Sequence, residues 1–179
     1  EGIAGAVYQM VSHGIISSML FLIAGVLYDR TNDRLIDNYS GLASKMPQYF
    51  SFTLIAFFAA LGLPGLSGFM AEIFVLLGAF KSSGANGIHQ ALPILAVLGL
   101  ILSAAYCLWV IQRMFLGPYH VKNVAWNPVL TDLTLREKSI LLPLAIGTLL
   151  FGIFPDILLS IINPFADALA VILHNGAGH

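Results

Sequence analysis

The residues with the most chemical potential lie close together. Leu61-Gly62-Leu63-Pro64-Gly65-Leu66-Ser67-Gly68-Phe69 is followed, after Met70 and Ala71, by a carboxylic acid, Glu72. No other Asp, Glu, Lys or Arg lies between Met46 and Phe80. An acid within an apolar span costs about 2.5–3.5 kcal/mol on insertion scales and is a functional-site hypothesis by default. Gly62, Pro64, Gly65 and Gly68 place three glycines and a proline within seven residues. Such a run does not support a regular helix, because proline removes a backbone donor and clashes with the preceding turn. In lipid, broken backbone is tolerated where it is buried in protein or lines a hydrated cavity, and discontinuous helices occur at ion sites in transporters. A packing kink is the structural alternative. Glu72 would sit just inside the second half-helix, whose dipole favours the ionised carboxylate, while burial favours the protonated acid. Opposed influences of this kind bring a carboxyl near its switching point, as a proton carrier requires. A structural ion pair with a basic residue of another helix is the competing explanation.

His13 is the second candidate. An imidazole can accept a proton on one nitrogen and release one from the other, and His13 is the titratable residue near the middle of the first apolar segment, with Ser12, Ser17 and Ser18 beside it. A hydrogen-bonded packing histidine would look the same. Ser103, Tyr106 and Gln112, with Arg113 following, can hold water or pack helices. His89, His120, His174 and His179 fall in loops, at segment ends or in the tail. No HExxH motif, phosphate-binding glycine loop, nucleophilic triad or haem-ligand pair is present. Cys107 is the single cysteine, which excludes an internal disulfide and a Cys-based zinc site; it and the methionines read as core.

The elements that must position these groups are legible from the charges. Of 179 residues, 58% are hydrophobic and 9% charged, with a net charge of −1 and a mean hydropathy of +0.88. Soluble domains carry about 25% charged residues, so a soluble enzyme, a disordered tail and a nucleic-acid binder are all disfavoured. Charge-free stretches run from Gly2 to Tyr28, Met46 to Ala71, Ser82 to Gln112 and Ser139 to Pro155. About 20 apolar residues span a bilayer, so four transmembrane helices are expected, at about 3–28, 50–80, 91–113 and 138–155, the second discontinuous. Small residues such as Gly2, Gly5, Gly14 and Gly25 suit close helix packing in lipid.

Arg30, Arg34, Lys45, Arg113, Lys122, Arg136 and Lys138 cluster in the loops after the first and third spans; Lys81 follows the second. The positive-inside rule makes loops 29–49 and 114–137 cytoplasmic and puts the C-terminus on the outer face. Thr134-Leu135-Arg136-Glu137 has capping-box spacing before the fourth span. In the tail, 156–179, the residues Asp156, Ser160, Asn163, Asp167 and His174 fall on one narrow helical face. That reads as an amphipathic helix along the membrane surface, with Pro164 in its middle; a kinked fifth span is the alternative. The chain opens Glu1-Gly2-Ile3, already within apolar sequence and without a basic n-region, as the interior of a longer polypeptide would.

Several of these runs carry a family resemblance. Gln9-Met10-Val11-Ser12-His13-Gly14, Leu20-Phe21-Leu22, Gly25-Val26-Leu27-Tyr28-Asp29-Arg30-Thr31, Gly41-Leu42-Ala43, Met46-Pro47 and Leu63-Pro64-Gly65-Leu66-Ser67-Gly68-Phe69 with Glu72 occur in order. Together they resemble the antiporter-like membrane subunits of respiratory complex I, the proton-translocating NADH:quinone oxidoreductase, over residues 1–155. The likeness is to the C-terminal third, the last four helices and the terminal helix. A Glu at position 72, where the sister chains L and N usually carry Lys, favours the chain M type. The resemblance implies a helix broken at 62–68, Glu72 as the proton site toward the outer exit, and His13 in a polar axis at mid-membrane. It also implies no cofactor in this chain, with NADH, flavin, iron–sulphur clusters and quinone handled by partner subunits. Chains of the L and N type and the lipid bilayer would be its neighbours, in a bacterial inner membrane with the C-terminus periplasmic. The family's other key groups, a Glu and two Lys on earlier helices, lie outside these residues. A subunit of a cation/proton antiporter or membrane-bound hydrogenase, and a passive membrane anchor, are the alternatives.

Overall fold

The computed structural model describes residues 2–85 and 91–176; His89 and His179 lie outside the described residues. The chain is mostly helical: α1 (Gly2–Thr31), α2 (Leu42–Lys45), α3 (Pro47–Ala60), α4 (Ser67–Ala85), α5 (Ala91–Phe115), α6 (Leu135–Ile153) and α7 (Asp156–Gly176), with a short pair of strands, β1 (Tyr39–Ser40) and β2 (His120–Val121). Among the described residues two helices, α1 and α5, are each long and apolar enough to cross a membrane, and α6 with α7 passes that test only as a pair bent by 69°. The segment expected as one span at 50–80 is two helices separated by residues 61–66.

Prolines set two of the boundaries. A residue before proline is pushed out of the helical region. Met46 accordingly has φ −132° and ψ 68°, and Pro47 opens α3 at a position where its missing N–H is no loss. Phe154, ahead of Pro155, has φ −120° and ψ 67°, and α6 stops there. Pro143 and Pro164, by contrast, sit inside α6 and α7 without ending them.

The broken pair runs antiparallel to α1. Near one end the Tyr49 hydroxyl donates to the Ile23 carbonyl at 2.9 Å. Midway, Ser12 and Ser67 share a buried hydrogen bond of 2.8 Å. At the far end a Cβ on Gly2 would lie 3.5 Å from the Gly78 Cα, and one on Gly5 would come within 2.7 Å of the Val75 nitrogen. Glycine is therefore required at position 5, where two helix backbones meet. The main core lies at the Tyr49 end, around Met19, Ile23, Leu42, Met46, Tyr49, Phe115, Leu130 and Leu141. A second cluster, at the opposite end, joins Ala4, Tyr8 and Ala71 to Ile162 and Ala166 of α7. Cys107, Met19 and Met46 are buried, as the sequence reading had it, whereas Met10 is exposed among the described residues.

The loops that follow α1 and α5 interlock. Tyr39 pairs with Val121 and Ser40 with His120, Tyr39 stacks on Trp126, and Arg113 reaches Asp37 at 2.6 Å. The two basic loops thus share one end of the helix bundle. At that end the Asp132 carboxylate accepts from the backbone N–H groups of Gln48 and Tyr49, each at 3.0 Å. It caps α3 from a loop more than eighty residues away, where Met46 makes no side-chain cap of its own. The expected capping box forms on α6: the Thr134 hydroxyl accepts from the Glu137 N–H and the Glu137 carboxylate accepts from the Thr134 N–H. The same carboxylate receives Arg30 at 2.9 Å, joining α1 to α6.

Partial burial acts against ionisation of Glu137, but the Thr134 N–H, the Arg30 guanidinium and the Thr134 hydroxyl outweigh it and hold the carboxyl below its usual range. A depressed acid stabilises the fold above its unfolded pKa, and that contribution is lost as the pH falls through the folded value. Thermal denaturation of the detergent-solubilised protein should therefore show an acid-side loss of stability, below about pH 4.5, that Glu137→Gln flattens. Asp132→Ala should cost about 1–2 kcal/mol by leaving two N-terminal amides of α3 without their acceptor, read as a lower melting temperature at neutral pH.

Candidate functional site

The interruption between α3 and α4 is built by backbone geometry. After Ala60 the chain makes a tight turn, with Gly62 N–H on the Ala59 carbonyl at 3.3 Å and Leu63 N–H on the Phe58 carbonyl at 3.0 Å. Gly62 has φ +73° and Gly65 φ +93°, conformations that L side chains rarely adopt. Pro64 lies between them. Gly68 is different: the sequence pattern groups it with the break, but it belongs to the first turn of α4, and its φ is not in the left-handed region. Its requirement is space, since a Cβ there would collide with the carbonyl oxygen of Ala59. The start of α4 therefore lies directly against the end of α3, the positive pole of one half-helix beside the negative pole of the other.

The break is held from two sides. From α1, the Ser12 hydroxyl donates to that of Ser67, both fully buried. From α6, Gly152 lies so close that a Cβ would strike the Gly65 carbonyl and the Leu66 Cα. That end of α6 is itself pinned to α1. The Phe151 carbonyl would ordinarily bond to the N–H four residues on, but that residue is Pro155, which has none. The Tyr8 hydroxyl donates to the Phe151 carbonyl instead, at 2.5 Å. A chain of contacts from Tyr8 through Phe151 and Gly152 to Leu66 and Ser67, and back to Ser12, thus braces one side of the break, while Leu63, Pro64 and Gly65 remain exposed.

Glu72 lies six residues into this region's second helix and is partly buried. Its carboxylate rests against Gly62: a Cβ on that residue would collide with Glu72 Oε2. No ion pair reaches Glu72 among the described residues, where Arg30–Glu137 and Arg113–Asp37 are the side-chain pairs seen. The structural ion-pair explanation has no partner there. His13 is placed otherwise. Ser12 turns to Ser67, so the next residue points about 100° away, and the His13 side chain is exposed. No hydrogen bond joins His13 to Glu72; the His13 contact seen is its carbonyl accepting from Ser17. Ser103 and Tyr106 bond to each other on the exposed side of α5, Gln112 is exposed and Arg113 is engaged by Asp37.

Sequence reasoning did not single out Gln9, Tyr8 or Gly152. Gln9 stands between Gly5 and Ser12 on the helical face turned to α4, and its amide oxygen is buried without a hydrogen-bond partner among the described residues. The four-residue spacing to His13 was a usable signal for Gln9. Gly152 carried none, because its partner is more than eighty residues away in sequence.

Residues 1–99 match the model of a family described as NADH:quinone oxidoreductase/Mrp antiporter, transmembrane. The chain belongs to this family. Within the NADH:quinone oxidoreductase/Mrp antiporter family it is similar to NADH-quinone oxidoreductase subunit M of Rhodobacter capsulatus, with 39% identity over 178 residues, which is 99% of this chain and 33% of that protein. It is also similar to NADH-ubiquinone oxidoreductase chain 4 of Chondrus crispus, with 42% identity over 163 residues, 91% of this chain and 31% of that protein. Among solved structures, a chain of respiratory complex I from Thermus thermophilus with bound NADH superposes with a TM-score of 0.81 at 38% identity, covering 95% of this chain and 34% of that one. The chain thus spans about a third of the length of the curated relatives it matches.

The steric account of the break makes a paired expectation. Gly68→Ala forces a side chain into the Ala59 backbone carbonyl, whereas Gly14→Ala enters open space on α1. Gly68→Ala should sharply reduce the amount of folded protein recovered in detergent, and Gly14→Ala should leave it near the wild-type level.

Proposed function

We propose that the chain is part of an antiporter-like, proton-translocating membrane subunit of the chain M type, working in an NADH:quinone oxidoreductase. Relatives named subunit M and chain 4 support this over a cation/proton antiporter or hydrogenase subunit. The observation that carries the mechanistic part is a carboxyl, Glu72, set beside a broken helix with no basic partner among the described residues. In this reading Glu72 takes up a proton as a neutral acid and releases it as a carboxylate. Charge movement along the membrane arm alters its proton affinity. His13 belongs to the polar axis that supplies or receives the proton. Because His13 and Glu72 share no direct bond, transfer between them runs through intervening polar groups or water. NADH oxidation and quinone reduction, with flavin and iron–sulphur clusters, take place in partner subunits. Chains of the L and N type and the bilayer are the immediate neighbours.

The membrane arrangement in this proposal has four spans: α1, the broken pair α3–α4, α5 and α6. The antiparallel course of α3–α4 along α1 supports treating the pair as one crossing. The basic loops 29–49 and 114–137 face the cytoplasm, in keeping with their shared end of the bundle. The terminal helix α7 lies along the outer, periplasmic face of a bacterial inner membrane. Its position against Ala4 and Tyr8, at the end opposite Arg30, agrees with this. So does its exposed apolar row of Ile157, Ile161, Phe165, Leu169 and Ile172, set apart from Asp156, Asn163 and Asp167.

Glu72→Gln in the full-length subunit should leave the complex assembled but lower proton translocation per electron transferred, measured in reconstituted vesicles. Normal pumping by that variant, or by an apolar replacement, would refute the role of Glu72 and leave a passive anchor. His13→Ala should produce a smaller loss.

A further inference from the structure

The interruption contains two left-handed glycines, Gly62 and Gly65, and they are not equivalent. Both carry positive φ, +73° and +93°, and an alanine at either position strains the backbone. Their surroundings differ. At Gly65 an added Cβ meets nothing within 4 Å. At Gly62 the three nearest atoms all belong to Glu72: the carboxylate Oε2 in direct collision, the Glu72 Cδ at 3.0 Å and Oε1 at 3.4 Å. The missing side chain of Gly62 is therefore a seat shaped to a carboxyl group. Ten residues separate the two positions in sequence. They meet because the turn at 61–66 brings the end of α3 back against the first turns of α4.

We infer that Gly62 is the positioning residue of Glu72, its bare backbone holding the carboxyl in the break. The inference rests on the reading of Glu72 as the proton carrier. The contact is with the far end of a flexible side chain, so a methyl group at position 62 would displace the carboxyl and leave the helices in place. A shorter acid would relieve the collision, because aspartate withdraws the carboxyl by one methylene. Gly62 acts through Glu72 and touches no transferred proton itself.

The test uses the full-length subunit in the assembled complex, reconstituted into vesicles, with five variants: Glu72→Gln, Gly62→Ala, Gly65→Ala, Glu72→Asp, and Gly62→Ala combined with Glu72→Asp. Two quantities are read: protons translocated per electron, and the infrared stretching band of the Glu72 carboxyl, identified by its loss in Glu72→Gln. Gly62→Ala should lower translocation several-fold and shift the band. Gly65→Ala should leave the band where it is. The double variant should translocate better than Gly62→Ala alone. The inference is overturned if the band in Gly62→Ala stays in place, if Gly65→Ala shifts it equally, or if aspartate brings no recovery. Should Gly62→Ala not assemble, assembly itself becomes the readout: recovery in the double variant supports the contact, and its absence overturns it. Normal translocation by Glu72→Gln would instead defeat the proton-carrier reading, and the band shift would still judge the contact between Gly62 and Glu72.

Discussion

Hydrocarbon offers a peptide group no hydrogen-bond partner, and in the proposed membrane arrangement residues 61–66 interrupt a helix where a continuous one would have satisfied every amide. Most of the unusual packing in this chain follows from that interruption. The half-helices α3 and α4 are pressed end against end, with Gly68 over the Ala59 carbonyl. Gly152 of α6 closes on Gly65 and Leu66 from one side, and Ser12 of α1 bonds Ser67 from another. Even the Tyr8 bond to Phe151 belongs to this bracing, since it fixes the turn of α6 that carries Gly152. The break is thus braced by α1 and α6 at Leu66 and Ser67 while Leu63, Pro64 and Gly65 stay exposed, and a single carboxyl is left beside it.

The two ends of the bundle are built by different means. At the end holding the basic loops, charge and hydrogen bonding dominate: Arg30 with Glu137, Arg113 with Asp37, and Asp132 on the α3 amides. At the other end the contacts are apolar and small, with Ala4, Ala71 and Ala166 allowing α7 to approach α1 and α4. The polar end locks the relative positions of α1, α3 and α6, and so fixes the frame in which the break is held. The apolar end lets helices meet closely where few polar partners exist. In the proposed orientation this puts the ion pairs toward the cytoplasm and the close apolar contacts toward the outer face.

A good part of this was readable before any coordinates. The helical segments follow from the gaps between charges, and their ends from Pro47, Pro155 and the Thr134–Glu137 box, because each of these acts on its own neighbours in the chain. The interruption near Gly62 and Pro64 follows likewise from local chemistry. Gly68, which the sequence pattern counts within it, belongs instead to α4: a glycine looks the same in sequence whether it supplies a positive φ or merely space, and only the approach of Ala59 distinguishes the two.

The sequence by itself determined composition-driven facts: apolar helices, a broken one among them, a lone acid beyond the break, and basic loops that alternate with it. The tertiary structure decided what that acid touches. Which glycine seats the Glu72 carboxyl, that Gly152 closes the break, that Asp132 caps a helix more than eighty residues upstream, and that His13 turns away from Ser67 all depend on contacts between distant segments. Local propensity acts over a few residues and can be read along the chain. Steric contact across helices has no such signature, because it depends on the angle and register at which whole helices meet.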